Sequence, residues 1–362
     1  MYELSAAAAA APLAVNTGWE WLRTAATSES AVTVLVGAVL LYLGAEALVR
    51  GASSLSVGLG MRAAVAGVTV VAFATTAPEL VIGVLSGLDY GTTLGLGAIV
   101  GSNVANIGLV LGLSALVRPL DVAAETLRKH VPFMAVAALL LVGLGLDGTL
   151  DRADGVTFLV VLAAFTFVLL STAGGDDAVD ADEIAADGGT ERGGSASGGV
   201  LARGRLGTEV AVYGRRVRPA DVAFVLVGLA LLLVGAQRLI EGGRTTLYYL
   251  GATDRFVGLT VLAFGTSLPE LAASLVSAVR GEAEFSVGNV VGSNIYNVLA
   301  VLGVLAIITP VTVPASTGSF DFPMLVAFTL GVVAIMARGA EVSRVDGAVL
   351  VGGYCCFFYL LL

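Results

Sequence analysis

The sequence predicts an all-α membrane protein of ten transmembrane helices, arranged as two inverted five-helix repeats. Three observations predict this fold class. Hydrophobic residues make up 57% of the 362 residues and charged residues only 13%, against about 25% charged residues in soluble domains. Apolar runs long enough to cross roughly 30 Å of hydrocarbon recur along the chain. A segment of the first half returns almost unchanged in the second half.

The apolar runs place five spans in each half. Each run holds about 17 to 25 residues, the length of a helix that crosses a bilayer. Because five is odd, the second half has to enter the membrane from the side opposite to the first. The expected spans cover residues 30–49, 65–87, 93–117, 131–147, 154–172, 221–240, 256–279, 284–308, 321–337 and 345–362.

The internal repeat has a fixed offset of 191 residues. T-V-V-A-F-A-T-T-A-P-E-L at 69–80 returns as T-V-L-A-F-G-T-S-L-P-E-L at 260–271. V-G-S-N-V-A-N at 100–106 returns as V-G-S-N-I-Y-N at 291–297, and 20 of the 51 residues around these motifs are identical. Such self-similarity predicts a duplicated unit with a paired site between the copies.

The chain is expected to divide into four regions. Residues 1–29 form an Ala-rich N-terminal segment, interfacial or disordered, and the two repeats occupy 30–172 and 220–362. Residues 173–219 are rich in Gly and acidic residues, a composition typical of a disordered or loosely ordered linker. The loops on one side hold 14 basic residues. The positive-inside rule therefore puts that side and the linker in the cytoplasm, with both termini outside a plasma membrane.

Two glutamates fall near the middle of apolar spans, Glu79 in span two and Glu270 in span seven. An ionised carboxylate there costs roughly 2.5–3.5 kcal/mol on insertion scales. A lone Glu could be a neutral or hydrogen-bonded structural group, but two at equivalent positions favour a functional site. Pro78 and Pro269 precede them and lack the N–H that a helix needs, so spans two and seven are expected to be discontinuous. Carbonyl groups freed at such breaks can line an ion cavity.

Groups that offer oxygen ligands flank each glutamate at helical spacing. In spans two and seven they lie so that their oxygens converge on one surface. Spans three and eight each add a Ser and an Asn four residues apart, on one helical face. The candidates are Ala72, Thr75, Thr76, Ser102 and Asn106 in the first repeat, and Ala263, Thr266, Ser267, Ser293 and Asn297 in the second.

This set contains only oxygen ligands, which favours a hard cation. Ca²⁺ takes six to eight oxygens, and two bidentate glutamates with two carbonyls already supply six. Na⁺ is the natural competitor. Transition metals recruit imidazole or thiolate, but the single His130 is expected in a loop, and Cys355 and Cys356 lie in the last span without further ligands. The single Lys against 28 acidic residues fits a halophile with a salt-rich cytoplasm.

The motifs G-T-S-L-P-E-L at 265–271 and G-S-N-I-Y-N at 292–297 resemble the alpha repeats of the sodium/calcium exchangers, of the cation/Ca²⁺ antiporter superfamily. The first copy departs slightly, with A-T-T-A-P-E-L at 74–80. The resemblance covers residues 30–362 and implies ion sites between spans two, three, seven and eight. It also implies Ca²⁺ and Na⁺ as transported ions, without a cofactor, a nucleic acid or an obligatory protein partner.

The resemblance assigns roles to the candidate residues. It implies that Glu79 and Glu270 hold Ca²⁺ with backbone oxygens of Thr75 and Thr266, and that spans one and six slide across a rigid core. An Asn at 297, where K⁺-carrying members have Asp, argues against K⁺ dependence. The positions implied for Na⁺ are Ala72, Thr76, Ser102, Asn106, Ala263, Ser267, Ser293 and Asn297.

The leading hypothesis is a secondary-active Na⁺/Ca²⁺ antiporter that exports Ca²⁺ on the Na⁺ gradient by alternating access. A Ca²⁺/H⁺, or other cation/proton, antiporter is the alternative, because a carboxylate at low dielectric can take up a proton. A membrane enzyme or receptor is a remote third possibility. The spans offer no base or nucleophile suited to an enzyme, and the chain has no folded soluble domain for a receptor.

Overall fold

The computed structural model describes residues 29–76, 79–80, 92–172, 210–212, 215–249, 265 and 267–361. The helices of these residues follow the order of the apolar runs and carry their numbers. They are α1 Glu29–Leu59, α2 Ala63–Thr76, α3 Thr92–Val117, α4 Thr126–Gly145, α5 Arg152–Thr172, α6 Pro219–Tyr249, α7 Leu268–Arg280, α8 Ala283–Ile308, α9 Thr317–Gly339 and α10 Arg344–Leu361.

The helices make this a multi-pass membrane protein. Within the described residues, seven helices are long and apolar enough to cross a bilayer, namely α1, α3, α4, α5, α6, α8 and α9. Helices α2 and α7 are shorter, and the runs predicted for them extend into residues outside the described part. Ten spans in two inverted repeats therefore stay a prediction.

Helices α1 and α6 extend beyond the apolar runs predicted for spans one and six. Helix α1 continues to Leu59 rather than ending at residue 49, and α6 continues to Tyr249 rather than 240. Polar residues lower the hydropathy of these extensions, but their hydroxyls are satisfied inside the helix. Ser56 Oγ, for example, donates to the Ser53 carbonyl at 2.7 Å. A fall in hydropathy therefore marks the end of the apolar surface and not the end of the helix.

His130 does not lie in a loop, which corrects the sequence prediction. It closes a π-helical turn, Thr126–His130, at the start of α4, and its side chain is buried. Its ring makes an edge contact with Phe165 of α5, with 6.3 Å between centroids. The histidine therefore packs between two helices.

The same order of elements occurs in both halves. Helices α3 and α8 each contain a π-helical stretch, Asn106–Leu111 and Asn297–Leu302, and α4 and α9 each begin with one. Two-residue strands join the halves reciprocally in antiparallel pairs: β1 (Leu120–Asp121) pairs with β6 (Glu341–Val342), and β2 (Thr149–Leu150) pairs with β5 (Val311–Thr312). The duplication seen in the sequence thus extends to local backbone geometry.

The end of the predicted linker carries structure that its composition did not predict. Strands β3 (Val210–Val212) and β4 (Arg215–Val217) pair antiparallel, with Val210 opposite Val217. Helix α6 follows at Pro219, where a proline is favoured because the first helical N–H has no partner inside the helix.

The apolar core has two parts that meet around the predicted site. One joins α1 and α6 to α2 and α7, and the other joins α3 and α8 to α4, α5, α9 and α10. The most apolar windows of α3 and α8 are each 78% buried, against 33% for α1 and 28% for α6. Helices α3 and α8 are therefore the central helices of the molecule, and α1 and α6 lie at its periphery together with α4, α5 and α9.

Candidate cation site

Helix α8 packs on α2 through glycines, which brings their polar residues together. A Cβ placed on Gly292 would lie 2.6 Å from the Ala72 Cβ and 2.7 Å from the Val68 carbonyl oxygen. One on Gly288 would lie 3.0 Å from the Ala64 carbonyl oxygen. These distances leave no room for a side chain, and small residues allow helix backbones in membranes to approach this closely.

A polar cluster built on Thr75 links α2 to α8. The Thr75 hydroxyl lies 3.2 Å from the Ala72 carbonyl oxygen, 3.1 Å from Asn289 Oδ1 and 3.4 Å from Ser293 Oγ. Each of these residues except Asn289 was predicted as a site residue, and all four are fully buried. The structure therefore brings predicted residues from both repeats into one hydrogen-bonded group.

A second polar cluster links α3 to α7 and α8. Ser102 Oγ lies 3.2 Å from Ser267 Oγ. The Asn297 amide group donates to Asn103 Oδ1 at 3.2 Å, with Ser102 Oγ at 3.5 Å. These side chains are at most 2% exposed. Three of them were predicted, and Asn103 was missed although it lies inside the repeated G-S-N motif.

The two glutamates lie deep in the protein and interact with each other. Glu79 is 4% exposed and Glu270 is completely buried. Their carboxyl groups are close enough to interact electrostatically, and the Thr75 hydroxyl lies beside Glu270. Neither side chain faces lipid. The prediction that these acids come from two repeats into one place is therefore consistent with the structure.

By distance and angle, none of the four carboxylate oxygens of the glutamates forms a hydrogen bond with a described residue, although the Thr75 hydroxyl and the other carboxyl group lie beside Glu270. The same holds for Thr76 Oγ1, for both polar atoms of the Asn106 amide and for Asn297 Oδ1. Unpaired buried polar groups are costly, and unpaired carboxylates especially so. A set of unpaired oxygens around two acids suits the binding of cations, which supply the missing partners.

Helix α7 begins at the point where the sequence predicts a break. Ser267 is in a turn, and the helix starts at Leu268 with Pro269 in its first turn. This start places Glu270 in the first helical turn, where backbone N–H groups and the helix dipole favour a negative charge. The matching position Pro78 lies outside the described residues, as do Ala263 and Thr266.

Two asparagines of the site open π-helical stretches. Asn106 and Asn297 are the first residues of Asn106–Leu111 and Asn297–Leu302. Inserted π-helical turns occur often at functional sites, where they reorient a side chain or a carbonyl. Apolar periodicity does not distinguish a π-helix from an α-helix over so short a stretch, so these stretches could not be predicted from the sequence.

Sequence reasoning also missed Asn289 and Ser274. Asn289 Nδ2 donates to Ser274 Oγ at 2.9 Å and to the Glu270 carbonyl oxygen at 3.3 Å. The comparison of repeats passed over both residues because their counterparts at the 191-residue offset are Ala98 and Gly83. The available signal was the spacing in α8, where Asn289 precedes Ser293 by one helical turn.

Buried oxygen-bearing residues at the centre of a multi-pass helical protein define a membrane ion transporter. The family model described as sodium/calcium exchanger protein matches residues 29–171 and 221–362. The chain therefore belongs to the sodium/calcium exchanger family, whose members are antiporters rather than enzymes and carry Na⁺ and Ca²⁺ as substrates.

Individual relatives agree with this family. Inner membrane protein YrbG of Escherichia coli (strain K12) is 31% identical, over 91% of this chain and 95% of its own length. Sodium/calcium exchanger MaX1 of Methanosarcina acetivorans is 27% identical, over 91% of this chain and 97% of its own length. The solved structure of the sodium-calcium exchanger NCX_Mj matches with a TM-score of 0.73 and 24% identity, covering 92% of this chain and 99% of that chain. The last match shows the shared fold.

Proposed function

We propose that the protein exchanges Na⁺ for Ca²⁺ at one central site, with both ions competing for Glu79 and Glu270. The observation that carries this proposal is the pair of buried, interacting carboxylates whose oxygens have no hydrogen-bond partner among the described residues. Two ionised carboxylates match the charge of one Ca²⁺ or of two Na⁺. Competition follows, because neither ion can leave the buried acids uncompensated during the crossing.

The ligands proposed for each ion differ in charge. Ca²⁺ is assigned to Glu79 and Glu270 with the backbone oxygens of Thr75 and Thr266, because a divalent ion benefits most from carboxylates. Na⁺ is assigned to less charged oxygens that surround the same acids. These are contributed by Ala72, Thr76, Ser102, Asn106, Ala263, Ser267, Ser293 and Asn297.

Transport is proposed to proceed by alternating access between two inverted repeats. The peripheral pair α1 and α6 moves against a body formed by the other helices. The reciprocal strand pairs and the repeated π-helical stretches support the symmetry that this requires. The basic loops support an orientation with the linker between α5 and α6 in the cytoplasm and the termini outside the plasma membrane.

Ion gradients across proteoliposomes test this function. We expect ⁴⁵Ca²⁺ uptake when Na⁺ is loaded inside and absent outside, and little uptake with a pH gradient alone. Uptake driven by the pH gradient without Na⁺ would instead establish the proton-coupled alternative. Absence of ⁴⁵Ca²⁺ flux under every gradient would refute antiport of Ca²⁺.

Neutral substitutions of the glutamates test the site. Glu79→Gln and Glu270→Gln should weaken Ca²⁺ binding about 100-fold or more, because removing one partner of a buried ion pair costs roughly 3–5 kcal/mol. Equilibrium ⁴⁵Ca²⁺ binding to purified protein measures this. Glu241→Gln is the matched control, since Glu241 is exposed on α6 beside Arg238. Near-normal binding by both site variants would exclude the assignment.

A further inference from the structure

Helix α8 carries a buried asparagine without a polar counterpart in the first repeat. Asn289 is fully buried, whereas Ala98, its equivalent at the 191-residue offset, is exposed. Its hydrogen-bond partner Ser274 likewise corresponds to Gly83. Asn289 lies one helical turn before Ser293, beside the predicted ligands. The site thus contains a polar pair, Asn289 and Ser274, that is present in the second repeat and has no polar equivalent in the first.

The amide of Asn289 connects three segments of the site and is fixed in orientation by them. Its NH₂ group donates to Ser274 Oγ and to the Glu270 carbonyl oxygen, both in α7. Its oxygen accepts from the Thr75 hydroxyl in α2 at 3.1 Å. Since both acceptors lie in α7, the amide oxygen faces α2, and three of the amide's four hydrogen-bonding positions are used.

The Thr75 hydroxyl has one proton, and its two nearest acceptors are Asn289 Oδ1 at 3.1 Å and the Ala72 carbonyl oxygen at 3.2 Å. Ser293 Oγ, which can donate or accept, lies farther away at 3.4 Å, and Glu270 is beside the same hydroxyl. A hydroxyl donates one hydrogen bond. When the hydroxyl proton points at Asn289, the Ala72 carbonyl oxygen accepts no hydrogen bond from Thr75. When it points back along the helix, that carbonyl is partly neutralised as a cation ligand.

We propose that Asn289 is a positioning residue for Na⁺. It accepts the Thr75 proton and so leaves the Ala72 carbonyl oxygen free to coordinate the ion. This inference rests on the proposed function, in which Ala72 contributes to Na⁺ binding and the two glutamates hold Ca²⁺. Loss of the Asn289 acceptor returns the proton to the Ala72 carbonyl and weakens Na⁺ binding more than Ca²⁺ binding, because Ala72 is assigned to Na⁺ alone and Ca²⁺ is held mainly by the two carboxylates.

Equilibrium ion binding tests the role of Asn289. In the purified full-length protein, ⁴⁵Ca²⁺ binding gives the Ca²⁺ affinity, and its displacement by Na⁺ gives the Na⁺ affinity. For Asn289→Ala we expect Na⁺ affinity to fall about tenfold, because one hydrogen bond that acts on a ligand of a charged ion changes its affinity by about that factor. Ca²⁺ affinity should change less than about twofold. Asn289→Ser, too short to reach Thr75, should show the same selective loss if the alanine variant is unstable.

Ser286→Ala is the matched control for these variants. Ser286 is fully buried on the same helix, one turn before Asn289, and its hydroxyl has no partner among the described residues. Its substitution should leave both affinities unchanged. Equal weakening of Na⁺ and Ca²⁺ by Asn289→Ala would reduce Asn289 to a structural support and overturn the inference, as would unchanged affinity for both ions.

A double variant isolates the proton itself. Thr75→Val removes the hydroxyl, so Asn289→Ala should cause no further loss of Na⁺ affinity in that background. A full tenfold loss in the Thr75→Val background would contradict the mechanism. Failure of the proposed function is distinguishable from either result, because Na⁺ would then fail to displace Ca²⁺ from the unaltered protein.

Discussion

The central helices α3 and α8 and the peripheral helices α1 and α6 have similar hydropathy but are held by different interactions. Mean hydropathy is 1.7 for α3 and 2.0 for α8, against 2.2 for both α1 and α6. The central pair is mostly buried and forms hydrogen bonds across helix boundaries, as between Asn297 and Asn103. The peripheral pair is joined by close backbone packing. Composition alone therefore does not reveal which helices form the site.

The α1–α6 pair contains a glycine every seventh residue on each helix. The helices run antiparallel, and a Cβ added to Gly228 would lie 2.5 Å from the Leu48 backbone nitrogen. One added to Gly37 would lie 2.6 Å from the Leu239 nitrogen. The glycines in this contact are Gly37, Gly44 and Gly51 of α1, and Gly228, Gly235 and Gly242 of α6.

This difference supports the proposed division into a moving and a fixed body. Backbone contact along two helices of 31 residues, each about 46 Å long, makes α1 and α6 one self-contained unit. Their contact with the core uses apolar side chains such as Leu41, Ala45 and Leu48 of α1. An apolar contact without a dense hydrogen-bond network can slide at lower cost than the polar contacts among α2, α3, α7 and α8.

The largest effect is expected from breaking the backbone contact of the α1–α6 pair. In Gly228→Val the new side chain would meet the backbone of α1, which cannot move aside like a flexible side chain. Overpacking of this kind costs about 1–3 kcal/mol or more. We expect a lower melting temperature and transport reduced about tenfold, measured by ⁴⁵Ca²⁺ uptake, while Ca²⁺ affinity of the folded fraction stays near normal.

Gly243 provides the control for that substitution. It lies on the same helix α6, and an added Cβ would meet nothing within 4 Å. Gly243→Val should therefore leave both stability and uptake close to those of the unaltered protein. Equal effects of the two substitutions would mean that the glycine contact does not distinguish the peripheral pair from an ordinary lipid-facing surface.

A smaller effect is expected from the ion pair that joins the two bodies. Arg280 at the end of α7 lies 2.6 Å from Glu46 of α1 and 3.0 Å from Glu282. Its side chain and that of Glu46 are 31% and 39% exposed, so the pair is worth only about 0.2–1 kcal/mol. Glu46→Gln should change the transport rate about two- to fivefold, because it alters the balance of two states, and leave ion affinity unchanged.

Two further variants sharpen this test. Arg280→Gln added to Glu46→Gln should have little further effect on the rate if the pair acts as one unit. Arg238→Gln is the control, since Arg238 pairs with Glu241 within α6 and does not bridge the two bodies. Ion affinity lost together with rate in Glu46→Gln would show that the pair supports the site instead of the movement.

The sequence indicated which polar residues are buried better than it indicated the helix ends, for a physical reason. A polar residue inside an apolar run is costly to bury, so its presence there indicates a buried polar contact or a ligand. Ten of the predicted ion-site residues lie in the described part of the chain, and all ten are buried. Helix ends depend on local hydrogen bonds such as that of Ser56, which hydropathy does not report. Asn289 was not predicted because a comparison of the repeats identifies only residues that are similar in both copies.

The glycine pattern and the ion pairs were missed for a different reason. Glycines are common in membrane helices, so Gly44 or Gly228 carries meaning only when its partner helix is known. The Glu46–Arg280 pair joins residues 234 positions apart, and sequence offered no reason to match them. Contacts between distant segments therefore required the structure, while the candidate ligands could be named from the duplicated motifs.

The smallest effect is expected within the proposed fixed body, at the two ion pairs of Glu125, of which the pair with Arg62 links the residue before α2 to the start of α4. Glu125 lies just before α4 and receives hydrogen bonds from Arg62 and Lys129, each at 3.0 Å. Burial raises the pKa of Glu125, but the hydrogen bonds and charges of Lys129 and Arg62 outweigh it and bring the pKa below its ordinary value of 4.5. The folded protein therefore binds this proton less readily than the unfolded chain.

The pH dependence of stability follows from this sign. A carboxyl group whose pKa is lowered by folding stabilises the protein at every pH above its pKa of 4.5 in the unfolded chain. This stabilisation is lost as the pH falls through the pKa of the folded state. Because Arg62 and Lys129 are 48% and 39% exposed, the contribution is only about 0.5–1 kcal/mol. Melting curves between about pH 3 and pH 6 should fall less steeply for Glu125→Gln than for the unaltered protein. Identical slopes would mean that solvent already screens both ion pairs of Glu125.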